Sequence, residues 1–244
     1  MIREIPKPLV NVPFINSTQV AEMERLMHEE YALDPTEMVE VGGRHLAHLA
    51  RLLFLKGKAD AKALVLLASP STKGALVLAA GRRLHQWGAN VRLVLSHDVD
   101  EFGGTSARQL DRVQRQGVIM VELPASGGSL IVDGLMGLNW QGDIQGRMAN
   151  CIEWANRQLS PVLSVEVPAG LDRDTGAQRQ PCIRASATLA LGLPRAGIMK
   201  ESARAMVGEI YLGDLGIPPA LFAAPGLDMK VGPIFTESDI VRIR

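Results

Sequence analysis

One pattern limits the fold of this chain more than any other: short apolar runs that alternate with stretches of helical spacing. The runs are Ala63–Ala68, Val91–Leu95, Val118–Val121, Leu130–Val132, Val162–Val167 and Thr188–Leu191, and helical stretches at about 75–87, 105–116 and 145–158 lie between several of them. The runs are nearly continuous in Val, Leu and Ile, the composition expected of strands covered on both faces. Strands and helices in this alternation predict an α/β chain, a parallel sheet between two layers of helices.

Two helices are expected ahead of that core. Ser17-Thr18 predicts the cap of the first, whose apolar positions Val20, Met23, Leu26 and Met27 keep helical spacing. Asp34-Pro35, a capping residue with proline at the first helical position, predicts the start of the second. Its stripe is Met38, Val41, Leu46, Leu49 and Leu53, with an end near Lys56-Gly57. The expected organisation is a single domain over 1–244: an irregular arm (1–16), N-terminal helices (17–57), the alternating core (58–212) and a proline- and glycine-rich wrapping tail (213–244). A chain of 244 residues can bury one substantial core, not two comfortable ones.

Lys plus Arg and Asp plus Glu each number 26, so neither nucleic acid nor an anionic membrane is an expected partner. Cys151 and Cys182 form no CxxC pattern, which argues against a disulfide framework or a thiolate metal site. The arm carries Pro6, Pro8 and Pro13 in place of a continuous apolar segment, and the apolar stretch 63–80 is broken by Ser-Pro-Ser-Thr-Lys. A cytoplasmic protein is therefore expected.

In an open parallel sheet, ligands bind beyond the carboxyl ends of the strands. Three such ends stand out. After the first run, Ser69-Pro70-Ser71-Thr72-Lys73-Gly74 delivers the chain onto a helix N-terminus, where unpaired N–H groups and the helix dipole favour an anionic or nucleotide-like ligand. Asp133 ends the fourth run and leads into Gly134–Asp143, and Glu166 lies in the fifth, ahead of Val167-Pro168-Ala169-Gly170. Asp133 could equally cap the turn that follows it. Lys73 could be a solvated lysine, although a cation is unfavourable at a helix N-terminus. Glu166, on a Val-rich strand, is costly unless paired. At about 4 Å and an effective dielectric near 20, an ion pair gives roughly 4 kcal/mol before desolvation, so a buried or half-buried Lys73–Asp133 pair is expected. His45 and His48 lie three apart with no completing ligand, which suits packing or surface roles rather than metal.

Several segments, in order along the chain, resemble one family. Met38–Gly43 looks like its LMExAG helix segment, Val132–Gly137 its DALFG strand end, and Ser164–Gly176 its VDIPSGLDADTG loop. Leu193–Gly197 is similar to PKxGL and Gly213–Pro218 to DIGIP. The family is NAD(P)H-hydrate epimerase, the YjeF N-terminal domain, and the resemblance runs from about Asn16 to Leu221. It implies a Rossmann-like three-layer sandwich with a mostly parallel central sheet and an N-terminal helical extension. It also implies a metabolite-repair isomerase that interconverts the two stereoisomers of hydrated NADH or NADPH beside a potassium ion, often as a homodimer.

The departures fall on the working residues. The family's GNNGGDG loop aligns with Ser71–Val77, so its potassium-contacting asparagine becomes Lys73 and its loop aspartate becomes Leu76. Of the other two potassium positions, an aspartate is retained as Asp133 and a serine becomes Ala169. The aspartate at the reacting part of the ligand becomes Glu166, which moves the acid–base atom by about 1.5 Å. By the resemblance, Glu166 is the catalytic residue. Thr72, Lys73, Gly74, Ala75, Leu76, Asp133, Gly137, Leu138, Asn139, Trp140, Gln141, Gly142 and Asp143 form the ligand site, with Trp140 placed to stack on a ring or to pack at an edge. Lys73 carries the single charge of the alkali ion, so a site without potassium or other cofactor is expected. Three functions remain open: potassium-independent epimerisation of a nucleotide-like ligand, a catalytically inactive homologue serving as a ligand-binding or assembly module, or an enzyme acting on a different small metabolite with Leu76 and Ala169 reshaping the pocket.

Overall fold

The apolar runs become β1 (Ala63–Ala68), β2 (Asn90–Leu95), β3 (Ile119–Met120), β4 (Leu130–Gly134), β5 (Val162–Val165) and β6 (Ala187–Leu191). The computed structural model describes residues 4–137, 140 and 142–244. Two further strands, β7 (Glu209–Gly213) and β8 (Ile240–Arg242), complete an eight-stranded sheet of order β3-β2-β1-β4-β5-β6-β7-β8. All neighbours are parallel except β7 and β8. The order reverses between β1 and β4, the place where such sheets leave a ligand crevice. Register there sets Asp133 beside Leu67 of β1 on one side and Ser164 of β5 on the other.

The helices are α1 (Ser17–Glu29), α2 (Pro35–Leu53), α3 (Thr72–Gln86), α4 (Gly104–Arg115) and α5 (Gly146–Arg157), followed by single turns α6 (Ala196–Met199), α7 (Arg204–Val207) and α8 (Pro219–Phe222). Strand alternation divides the core between the two faces. Leu64 and Leu66 of β1 join residues of α2, α3 and α4, whereas Val65 and Leu67 join Met148, Ile152 and Trp154 of α5. A third cluster packs α1, α8 and the tail around Ile210 and Leu212 of β7. Glu40 ties three helices together, accepting from Arg82 (2.6 Å), Arg83 (2.9 Å), Arg112 (2.9 Å) and Gln109 (2.9 Å). Burial pushes the Glu40 carboxyl up, but Gln109 and the arginines outweigh it and hold it below the usual carboxylate range.

Several sequence expectations need correction. The cap of α1 is Asn16, one residue ahead of Ser17-Thr18: its side chain accepts from the Gln19 amide (3.0 Å) and the Gln19 side chain accepts from the Asn16 amide (3.1 Å). On α2, Val41 is exposed and the buried face runs through Val39, Gly42, Gly43 and Leu46. Its two glycines explain this, because a Cβ on Gly43 would lie 2.6 Å from that of Ala79, so α2 and α3 meet almost backbone to backbone. The helix ends at Leu53, ahead of Lys56-Gly57. The fifth strand stops at Val165, and Glu166 turns away with φ +64°. The tail and arm are not wholly irregular either: β8 returns to the sheet, the Arg242 amide donates to the Pro6 carbonyl (2.9 Å), and Ile15 forms a bridge to Arg195. His45 sits against the Asp214 carbonyl (2.8 Å), and His48 packs edge-on to Trp87.

Candidate functional site

The loop after β1 satisfies itself. The Ser71 side chain caps α3 by accepting from the Gly74 amide (3.2 Å), and the Ser69 hydroxyl shares a hydrogen bond with Ser71 (2.8 Å) and donates to the Gly134 carbonyl (3.0 Å). Gly74 is required by the loop itself, since a Cβ there would fall 1.9 Å from the Ser69 carbonyl oxygen. Ala75 and Leu76 are buried in the core shared with α2, where Leu76 meets Gly42, and Thr72 is exposed.

Lys73 is only 2 % exposed, and its amine donates to the Val167 carbonyl. Burial pushes this amine well below the usual lysine range, and the fields of Asp133 and Glu166 partly oppose the shift. The expected Lys73–Asp133 ion pair is not formed by direct contact. Asp133, fully buried, is instead filled by three donors: the Leu135 amide (3.1 Å), the Ser164 hydroxyl (2.8 Å) and the Ala169 amide (3.0 Å). A carboxylate with that many short-range donors is stabilised without a contacting cation.

Glu166 lies at the end of β5 with its amide on the Leu189 carbonyl (2.7 Å). Its side chain is buried and accepts from Arg195 Nε (3.2 Å). Burial pushes the carboxyl up from its ordinary value, while Arg195, Lys73 and the Leu191 amide pull it back. Arg195 is itself buried, and its Nη1 has no hydrogen-bond partner.

Beside these charges a cleft of about 560 Å³ opens, lined by Gly137, Trp140, Val167, Pro168, Arg173 and Arg179 among others. Of the sequence-predicted site residues, Gly137 and Trp140 line it. Lys73, Asp133 and Glu166 do not; Lys73 reaches the cleft wall through the Val167 carbonyl, and Asp133 is tied to the same loop through the Ala169 amide. Gly142 and Asp143 are exposed at its rim, where Arg179 donates to the Gly142 carbonyl (2.8 Å). Leu138, Asn139 and Gln141 lie outside the described residues. Asp174 ties the cleft loop to α1, its carboxylate taking the Ser17 amide (2.8 Å) and the Ser17 hydroxyl. Sequence reasoning passed over Arg195, Arg173 and Arg179, although the first two stand inside the matched segments and the third follows three residues later.

Residues 35–197 match the family described as YjeF-related protein N-terminus. The chain belongs to this family. The YjeF N-terminal relatives include the NAD(P)H-hydrate epimerase of Dehalogenimonas lykanthroporepellens, 34% identical over 91% of this chain and 89% of that protein. The enzyme of the same description from Truepera radiovictrix is 29% identical over 90% of this chain and 97% of its own. The bifunctional NAD(P)H-hydrate repair enzyme Nnr of Moorella thermoacetica is 24% identical over 89% of this chain and 43% of its length. Among solved structures, the yeast protein YNL200c superposes with a TM-score of 0.79 at 20% identity, covering 95% of this chain and all of that one, which establishes the Rossmann-like fold. No helix among the described residues is long and apolar enough to cross a membrane.

Proposed function

We propose that this YjeF N-terminal protein is epimerase-like, takes a nicotinamide-nucleotide-like ligand into the cleft, and works without potassium because Lys73 occupies the ion's place. Lys73 carries the reading. Its amine is buried at the sheet's crevice and donates to the Val167 carbonyl. The Asp133 oxygens already take three hydrogen bonds, and Ala169 offers no side-chain oxygen. That donor set does not fit an alkali ion. A lysine amine and an alkali ion share one positive charge, which suits the neighbouring Asp133 and Glu166.

In this reading the ligand's ring lies near Trp140 and its phosphates near Arg173 and Arg179. Glu166, buried outside that lining, is the proton-transfer group and must come into contact with the ring when the ligand binds. Relatives named as NAD(P)H-hydrate epimerases support the substrate class. The test follows the two isomers of hydrated NADH by chromatography, with sodium-free buffers of potassium or tetramethylammonium chloride. Interconversion above the buffer rate, equal in both salts, is expected. No acceleration at high protein concentration would eliminate catalysis.

A second reading, a ligand-binding or assembly homologue without turnover, is favoured by one observation: the Glu166 carboxylate is buried, engaged by Arg195 and absent from the cleft lining. Saturable binding of the nucleotide with no isomer exchange would select it.

A further inference from the structure

Glu166 and Arg195 form a buried ion pair beside the candidate site. Two oppositely charged side chains are both more than nine-tenths buried at the carboxyl ends of β5 and β6. A pair kept only for stability gains little over apolar packing. Arg195 Nη1 is buried without a hydrogen-bond partner, so the guanidinium keeps a donor in reserve beside the carboxylate. Glu166 holds a left-handed backbone conformation, φ +64°, that non-glycine residues rarely adopt, and such strain gathers at working sites. Arg195 is fixed in turn by the arm: the Ile15 amide donates to the Pro194 carbonyl (3.0 Å) and the Ala196 amide to the Ile15 carbonyl (3.0 Å). A segment that reads as irregular in the sequence thus clamps both sides of this arginine.

We propose that Arg195 is the positioning residue for Glu166, orienting its carboxylate at the end of β5, and that the N-terminal arm orients Arg195 through Ile15. The inference rests on Glu166 being the acid–base group of the proposed reaction. The charged groups around Glu166 are Arg195 from the loop after β6 and Lys73 from α3, with Asp133 of β4 acting on Lys73. Removing Arg195 therefore leaves Lys73 as the cation acting on Glu166 among the described residues.

The test uses the full chain with carboxyl-labelled glutamate, and the Glu166 signal is assigned with Glu166→Gln. In Arg195→Met the NMR titration midpoint of Glu166 should rise by about one pH unit, a tenfold change in proton affinity. Arg195→Lys, which keeps a donor and a charge, should restore most of it. In the epimerase assay the acid limb of the kcat/KM profile should follow the same order, with kcat falling and KM nearly unchanged. A Glu166 midpoint equal in wild type and Arg195→Met overturns the proposal. If Arg195→Met does not fold, Arg195→Gln, which keeps a donor and drops the charge, carries the same test, and a Glu166 midpoint equal to wild type in that protein overturns the proposal as well. Should the wild type not epimerise, the function reading fails while the NMR titration still decides the role of Arg195.

Discussion

Replacing Lys73 by methionine tests the electrostatic core of the site. The substitution keeps an unbranched side chain of similar reach and deletes the amine. The Val167 carbonyl then loses its donor, a cost of about 1–3 kcal/mol for a buried acceptor. Removing one member of a buried charge set typically costs about 3–5 kcal/mol. Two features reduce that here. Asp133 retains its three donors, and the desolvation of the lysine itself disappears. A net loss of about 3 kcal/mol follows, which for a chain of this size lowers Tm by about 6–12 °C. The assay is thermal unfolding at matched ionic strength in potassium or tetramethylammonium chloride. Wild type should melt at one temperature in both, and Lys73→Met should melt lower in both. Lys73→Asn combined with Ala169→Ser should regain a potassium-dependent Tm, since an ion at a hundred times its Kd adds about 2.7 kcal/mol. A wild-type Tm that climbs specifically with potassium would refute the reasoning, as would a Lys73→Met protein as stable as wild type.

Two further outcomes follow from other parts of the fold. Glu40→Ala leaves Arg82, Arg83 and Arg112 facing one another across the α2–α3–α4 junction; a loss of about 2 kcal/mol is expected by urea unfolding, and added salt should recover part of it by screening, whereas a salt-insensitive loss would point to packing instead. For Glu166, a folded-state pKa raised above 4.5 means the folded chain binds the extra proton, so its contribution to stability is full below about pH 4.5 and is lost as pH rises through the folded value. Glu166→Gln should therefore gain stability relative to wild type as pH climbs from about 4 to 8 in urea melts; the opposite slope would mean that Arg195 outweighs burial.

The legible and illegible parts of this chain divide by the range of the interactions involved. Central strands were readable because both faces of β1, β4 and β6 are covered, which forces continuous apolar runs. The start of α2 was readable because its cap and proline are local. By contrast, β8 is three residues long and sits at the sheet edge beside β7, and no short-range pattern marks it. The buried face of α2 was misread because two glycines, not large apolar residues, make the contact with α3.

At the site, the residues by themselves determined which side chains stand at the strand ends: Lys73, Asp133 and Glu166, in segments that mark the family. Only the tertiary structure decided their partners. Lys73 turned to a carbonyl 94 positions away rather than to Asp133, because Asp133 was already satisfied by β5 and the loop beyond it. Glu166 met an arginine 29 positions on, which the arm holds in place from the far end of the chain. A buried polar atom takes whichever partner the packed sheet brings within reach, and that reach is set by strand register rather than by neighbours in the chain.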